Sequence, residues 1–226
     1  MSDKRQFVVI GMGRFGRQVA LTLTKRGLSV LAIDKDRTII EDIKDEVSHA
    51  AIADSTEEDS LKALGVNEFD VAIVSIGEGL ENNILTTAIL KNFGINEIIV
   101  RSTSKLHENI LWRIGATKVI MPEEDMGRRI ANSIAAESII DNIEFSEGYS
   151  IAQVKSPANI QGKSLIDANL RAKYNINVVA IKKLEGEENE EPREKIIVPG
   201  SDYILKEDDI LIVVGTNDDI NNFGSM

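Results

Sequence analysis

Short apolar runs recur along the first part of the chain, at Phe7–Ile10, Val30–Ile33, Ala50–Ala53, Val71–Ile76, Ile98–Val100 and Val119–Met121. They are rich in β-branched residues and apolar at consecutive positions, the pattern of strands covered on both faces. The stretches between them carry helical spacing instead. Phe15, Val19, Ala20 and Leu23 form one apolar face, Lys25 and Arg26 fall in the last turn, and Gly27 stops the helix. Ser55-Thr56-Glu57-Glu58 has capping-box spacing and is expected to open a helix running through Leu64. Strand–helix units repeated at this length predict a right-handed, mostly parallel sheet with helices on both sides.

The pattern changes after Pro122. Residues 127–141, GRRIANSIAAESIID, read as one helix with Ile130 and Ile134 on one side. Gly127, Ala131 and Ala135 stack at spacing four, a row that lets another helix approach closely; the same pattern also fits an ordinary amphipathic surface helix. Beyond Asn142, strands and turns dominate, at Tyr149–Val154, Val178–Ile181, Ile196–Val198 and Ile210–Val214. Helical pieces fit only around Leu165–Lys173 and Asp218–Phe223. The expected fold is α/β: a Rossmann-type doubly wound parallel sheet in residues 1–142, counting helix 127–141, followed by a smaller α+β domain in residues 143–226. The segment 185–194, EGEENEEPRE, holds six Glu and reads as a solvated hairpin tip.

Composition narrows the function. The 226 residues suffice for two modest cores, and 42% apolar with 28% charged residues describes a folded soluble chain. No apolar run approaches the about 20 residues that span a bilayer, and the start, MSDKRQF, does not read as a signal peptide. Without cysteine there are no disulfides, thiolate metal sites or cysteine nucleophiles. The net charge of −11 disfavours a nucleic-acid partner, which needs a basic face. Neither half is basic: residues 1–142 carry 17 Lys+Arg against 22 Asp+Glu, and residues 143–226 carry 9 against 15.

The chemistry is concentrated in VVIGMGRFGRQVALTLTKRGLSVLAID, residues 8–34. Gly11, Gly13 and Gly16 form G-x-G-x-x-G between an expected strand and an expected helix. Such glycines permit a tight turn, close backbone approach to a pyrophosphate, and close helix–strand packing. The helix N-terminus then offers free N–H groups and a positive dipole to phosphate. Asp34 closes the second strand 18 residues after Gly16, where a carboxylate accepts ribose hydroxyls and repels a 2′-phosphate. NAD or a plain adenine nucleotide is therefore expected rather than NADP. Arg14 and Phe15 lie inside the loop and Lys35 and Asp36 follow Asp34, completing this group of candidates. The Arg14 guanidinium is suited to outer phosphates; as a bare cation it would oppose the helix dipole. Asp54 and Ser55 after the third strand, Ile76, Gly77 and Glu78 after the fourth, and Arg101, Ser102 and Thr103 after the fifth share the carboxyl edge where open α/β sheets bind ligands.

A dehydrogenase would also need a proton donor beside the nicotinamide and a substrate domain. The two histidines, His49 and His107, fall at a strand start and early in a helix, and no Ser-His-Asp set, metal cluster or Walker lysine motif is present. The residues favour a nucleotide sensor over an enzyme.

The segments FVVIGMGRFG, ADSTEEDSLKALG, AIVSIG, NILTTAILKNFGI and RIGATKVIMPEEDMGRRIA resemble the RCK (also called KTN) domain of Ktr/Trk-type bacterial potassium-uptake regulators, with nearest likeness to subunits of the KtrA kind. SLIDANLRAKYNINVVAIKK is similar to that family's C-terminal RCK_C lobe, so the likeness spans essentially the whole chain. The resemblance implies a cytosolic regulator at the inner face of the membrane. It would form an octameric gating ring docked on a membrane-embedded, KtrB-like potassium-translocating partner. It also implies ATP or ADP in the Rossmann site, ATP favouring the active assembly, with NAD(H) as the alternative. By position, Arg14 is similar to an arginine that reaches the outer phosphates and Asp34 to the ribose carboxylate. Asp54 and Ser55 fall at the adenine side, and Arg101 and His107 resemble further contacts. Glu123 resembles a glutamate that helps place a cation such as Mg near the nucleotides at the dimer interface; an acidic residue opening a helix is equally at ease there. The helix at 127–141 would cross to the neighbouring subunit. The C-terminal lobe resembles one that binds cyclic di-AMP between two subunits, with Leu165, Arg171, Ile176, Val178 and Pro199 as contacts. The Glu-rich insertion departs from shorter family members and alters the spacing near Pro199.

Three functions follow in order: a ligand-gated ring of a potassium transporter, a binding module of another cation transport system, and a small NAD-linked oxidoreductase.

Overall fold

The computed structural model describes residues 5–77, 79–135, 138–185 and 193–226. The chain forms two compact units, Met1–Pro122 and Glu123–Met226. In the first, strands and helices alternate as β1 (Gln6–Ile10), α1 (Arg14–Lys25), β2 (Ser29–Asp34), α2 (Arg37–Ile43), β3 (His49–Ile52), α3 (Glu58–Ala63), β4 (Val71–Val74), α4 (Leu80–Asn92), β5 (Glu97–Arg101), α5 (Lys105–Ile114) and β6 (Lys118–Ile120). The strands pair in parallel in the order β3-β2-β1-β4-β5-β6.

Side-chain alternation explains the apolar runs. Val8 and Ile10 of β1 enter one core with Leu31, Ile33, Ala72 and Val74. Val9 enters the opposite core with Val30, Ala32, Val71 and Ile73. Helices cover both faces, so neither parity of a central strand can be polar. The order reverses between β1 and β4, the switch point of a doubly wound sheet. Sequence expectation and structure agree on this fold.

The second unit runs α6 (Pro122–Ala135, its first residue closing the first unit), β7 (Ile139–Ser146), β8 (Tyr149–Lys155), α7 (Leu165–Ala168), α8 (Leu170–Tyr174), β9 (Asn177–Glu185), β10 (Arg193–Ile197), β11 (Ile210–Thr216) and α9 (Asn217–Gly224). Its strands pair antiparallel in the order β10-β9-β11-β8-β7. Helices α8 and α9 pack on this sheet, and the core gathers Val154, Leu170, Ile181, Leu211, Val213 and Phe223.

Four expectations change. The helix expected over 127–141 is Pro122–Ala135, and its last three expected residues belong to β7. Proline suits the first helical turn and the acidic Glu123, Glu124 and Asp125 suit its dipole, so the helix starts earlier than its apolar pattern does. The division expected after residue 142 falls inside β7. The capping box does not form: Glu57 precedes α3 without a side-chain cap, while Ser55 turns inward and its neighbour Asp54 bonds Thr56. The helix expected over Leu165–Lys173 is broken at Asn169, which takes a left-handed conformation with φ 48°. Most of the 185–194 hairpin tip lies outside the described residues. Among the described residues, no helix is long and apolar enough to cross a membrane.

Candidate functional site

The glycine loop joins β1 to α1 at the switch point. Gly11 has φ +90°, and a Cβ there would lie 3.0 Å from the Ile76 amide nitrogen, so glycine is required by conformation and by space. Gly16 packs closer still: a Cβ would meet the Gly11 carbonyl oxygen at 2.0 Å and Ser75 Oγ at 2.9 Å. Gly13 differs from both. It caps α1 in extended geometry, and nothing lies within 4 Å of where its Cβ would be. The first turn of α1 has no side-chain cap and no acidic residue. The leading N–H groups of a helix have no intrahelical partner, and such an uncapped start is suited to an anion. Arg14 starts the helix exposed and Phe15 is half-buried beside it.

Asp34 ends β2 next to this loop. Its Oδ2 accepts the Met12 N–H at 2.6 Å and its Oδ1 accepts the Asp36 N–H at 2.9 Å. A carboxylate offers about four acceptor sites, so both oxygens keep capacity for a ligand hydroxyl while fixing the loop. Lys35 is exposed, and the Asp36 carboxylate caps α2 by accepting the Thr38 N–H at 2.8 Å. Asp54 is exposed, and the Thr56 hydroxyl and amide hold its pKa below the usual value.

Further along the edge, several candidates face inward. Ser55 is buried and bonded to Thr86 at 2.8 Å. Ser102 is fully buried, its hydroxyl donating to the Ser104 carbonyl. His107 is 2% exposed, and burial pushes its pKa down. The expected direct contact by His107 would require this side chain to be uncovered. Ile76 is half-buried, Gly77 and Thr103 are exposed, and Glu78 lies outside the described residues. Arg101 is half-buried, its Nη1 2.8 Å from where a Cβ of Gly77 would stand.

Glu123 is exposed at the start of α6. Among the described residues, no group of three or more His, Asp or Glu could hold a metal ion. A cation beside Glu123 would need oxygens from a ligand or from a second subunit. In the second unit Arg171 is exposed, while Leu165, Val178 and Pro199 are half-buried. Ile176 is 0% exposed and belongs to the core, so its side chain is not on the surface of the single chain.

Sequence reasoning missed Met12, whose amide ties the loop to Asp34, and two polar residues of α4, Asn83 and Thr86. Asn83 Nδ2 donates to the carbonyls of Ile76 and Arg101 at 3.2 and 3.0 Å. The run NNILTT, with polar residues at positions i, i+3 and i+4 on one side of a helix, was the available signal.

Fold and site together define a Rossmann-type protein whose glycine loop is open to a phosphate-bearing ligand, followed by an α+β lobe. The chain matches the TrkA-N domain over residues 7–122 and the TrkA-C domain over residues 149–226, and it belongs to this family. It is 40% identical over 220 residues to Ktr system potassium uptake protein C of Bacillus subtilis (strain 168), covering 97% of this chain and 96% of that protein. It is 36% identical over 219 residues to Ktr system potassium uptake protein A of the same organism, covering 97% and 95%. The fold is shared with the GsuK RCK domain at TM-score 0.68 and 15% identity, over all of this chain and 48% of that one. A GsuK channel bound to NAD aligns at TM-score 0.56 and 22% identity, over 99% of this chain and 38% of that one.

Proposed function

We propose that this protein is the nucleotide-sensing regulatory subunit of a potassium transporter and not an enzyme. One observation carries the reading: the helix N-terminus at Gly13 stands open between two glycines that packing requires, with the Asp34 carboxylate beside it. The glycine loop and α1 would hold the phosphates, and Asp34 would hold the ribose. Asp54, Gly77, Arg101 and Thr103 would line the rest of the edge. The Ktr names of the full-length relatives support the transport role.

ATP or ADP is the proposed ligand, with Arg14 on the outer phosphates and Glu123 near an accompanying cation. A ligand shifts a conformational equilibrium only by its differential affinity for the two states, and these two residues are the candidates for telling ATP from ADP. The proposed assembly is an octameric ring at the inner membrane face on a KtrB-like partner. Met126, Ile130 and Ile134 of α6, each half or more exposed, support its use against a second subunit. The second unit is proposed to take cyclic di-AMP, with Arg171 as its cationic contact and Leu165, Val178 and Pro199 around it.

NAD(H) in the same loop is the second reading, favoured by the NAD named for the GsuK channel neighbour. Calorimetry with ATP, ADP and NADH separates the two. Asp34→Ala is expected to weaken whichever binds by about 2–3 kcal/mol, through lost charge-assisted hydrogen bonds and a loosened Met12. Unchanged affinity for all three would remove Asp34 from the site.

A further inference from the structure

Helix α4 carries Asn83, Thr86 and Thr87, each no more than 1% exposed. Buried polar side chains are costly unless bonded, so the bonds they make indicate why they are there. The Asn83 amide joins the carbonyl of Ile76, just past β4, to that of Arg101, the last residue of β5. The Thr86 hydroxyl donates to the Ser55 carbonyl at 3.2 Å, leaving the Ser55 hydroxyl to donate to Thr86 Oγ1 at 2.8 Å. Thr87 bonds back to the Asn83 carbonyl within the helix. One helix thus fastens three separate points of the carboxyl edge: the loops after β3 and β4 and the end of β5.

We propose that Asn83 and Thr86 are positioning residues of the nucleotide site, with α4 as the rigid bar that couples its adenine side at Asp54–Ser55 to its far side at Gly77–Arg101. This rests on the nucleotide reading above. The Arg101 guanidinium lies over Gly77, where even a methyl group would stand 2.8 Å from Nη1. Asn83 holds the backbone on both sides of that contact: the residue before Gly77, and Arg101 itself. Neither Asn83 nor Thr86 reaches solvent, so each acts only through the loops it holds.

Calorimetry on the full chain with ADP and with NADH, together with thermal melts without nucleotide, tests the proposal. Asn83→Leu is expected to weaken the bound nucleotide about tenfold, and the near-isosteric Thr86→Val about threefold, at temperatures where both are folded. Because Asn83 acts through Arg101, the double variant Asn83→Leu/Arg101→Ala should bind within about twofold of Arg101→Ala alone. Gly77→Ala displaces the guanidinium while leaving the Asn83 bonds intact, and should weaken binding about fivefold. It decides the matter with Thr86→Val if Asn83→Leu does not fold. Wild-type affinity in the folded variants, or losses from Asn83→Leu and Arg101→Ala that multiply, would overturn the positioning role. A wild-type chain that binds neither ADP nor NADH would overturn the nucleotide reading itself, and this inference with it.

Discussion

In the first unit the parallel sheet is buried on both faces, and its polar groups are left at the strand ends, where glycines clear space for backbone N–H groups. In the second unit the antiparallel sheet carries its helices against a single core, and Ile143, paired with Ile151, lies exposed with Tyr149. The second unit's most buried charge is also spoken for internally. Asp209, 1% exposed, accepts the Tyr203 hydroxyl at 3.0 Å on each oxygen and the Lys206 N–H at 2.9 Å, with the Lys183 ammonium at 3.5 Å. Burial raises the pKa of Tyr203, which keeps it a donor. The difference teaches where each region can meet a partner: the first along an edge of backbone donors, the second across apolar surface.

The largest expected effect separates two glycines of the first unit. Gly16→Ala should destabilise it by about 3 kcal/mol, because the clash is with backbone and has nowhere to relax. Gly13→Ala should leave chemical denaturation nearly unchanged. If both variants unfold alike, the loop is not divided into a packing glycine and an open one.

Next in size is a test that the second unit's polar cluster is structural. Tyr203→Phe leaves Asp209 short of a donor and should cost about 1–2 kcal/mol in the second unit. Nucleotide affinity in the first unit should not move. A parallel loss of ADP or NADH binding would show that the two regions are not separable in this way.

The smallest effect concerns acid. The bidentate Arg129 hydrogen bonds, at 2.8 and 2.5 Å, hold the Asp141 pKa below its usual 3.8. The unfolded chain therefore takes up the proton first, so this contribution is present above pH 3.8 and is lost as the pH falls through the lower folded value. Asp141→Asn should flatten the melting temperature of the second unit between about pH 5 and pH 2. An unchanged slope would assign the acid sensitivity to other carboxylates.

The six strands of the first unit were legible because burial on both faces forces consecutive apolar residues, a signal that needs no partner to interpret. Strand β7 was not. No glycine or proline separates Ile134 from its Ile139 and Ile140, and only pairing with β8 decides that they belong to a sheet. The same limit governs the site. The glycine loop and Asp34 announce themselves by residue type and spacing. Ser55 and Ser102 were expected on the carboxyl edge and His107 early in the following helix, but sequence carries no mark of which way a side chain turns, and all three are buried. Asn83 and Thr86 are polar residues on a helix, and their importance appears only when the strand ends they bond are seen beside them.

The crowding at Gly16 bears on how such fingerprints should be interpreted in other chains. A side chain there would strike the Gly11 carbonyl whether or not anything were bound, so this glycine is retained by the fold alone. Gly11 is likewise fixed by its turn. A descendant that had lost its ligand would still display both. The middle glycine is the informative one: the protein itself leaves room for a Cβ at position 13, so packing does not require glycine there. In a sequence of this kind, substitution at that single position says more about the survival of ligand binding than the rest of the motif together.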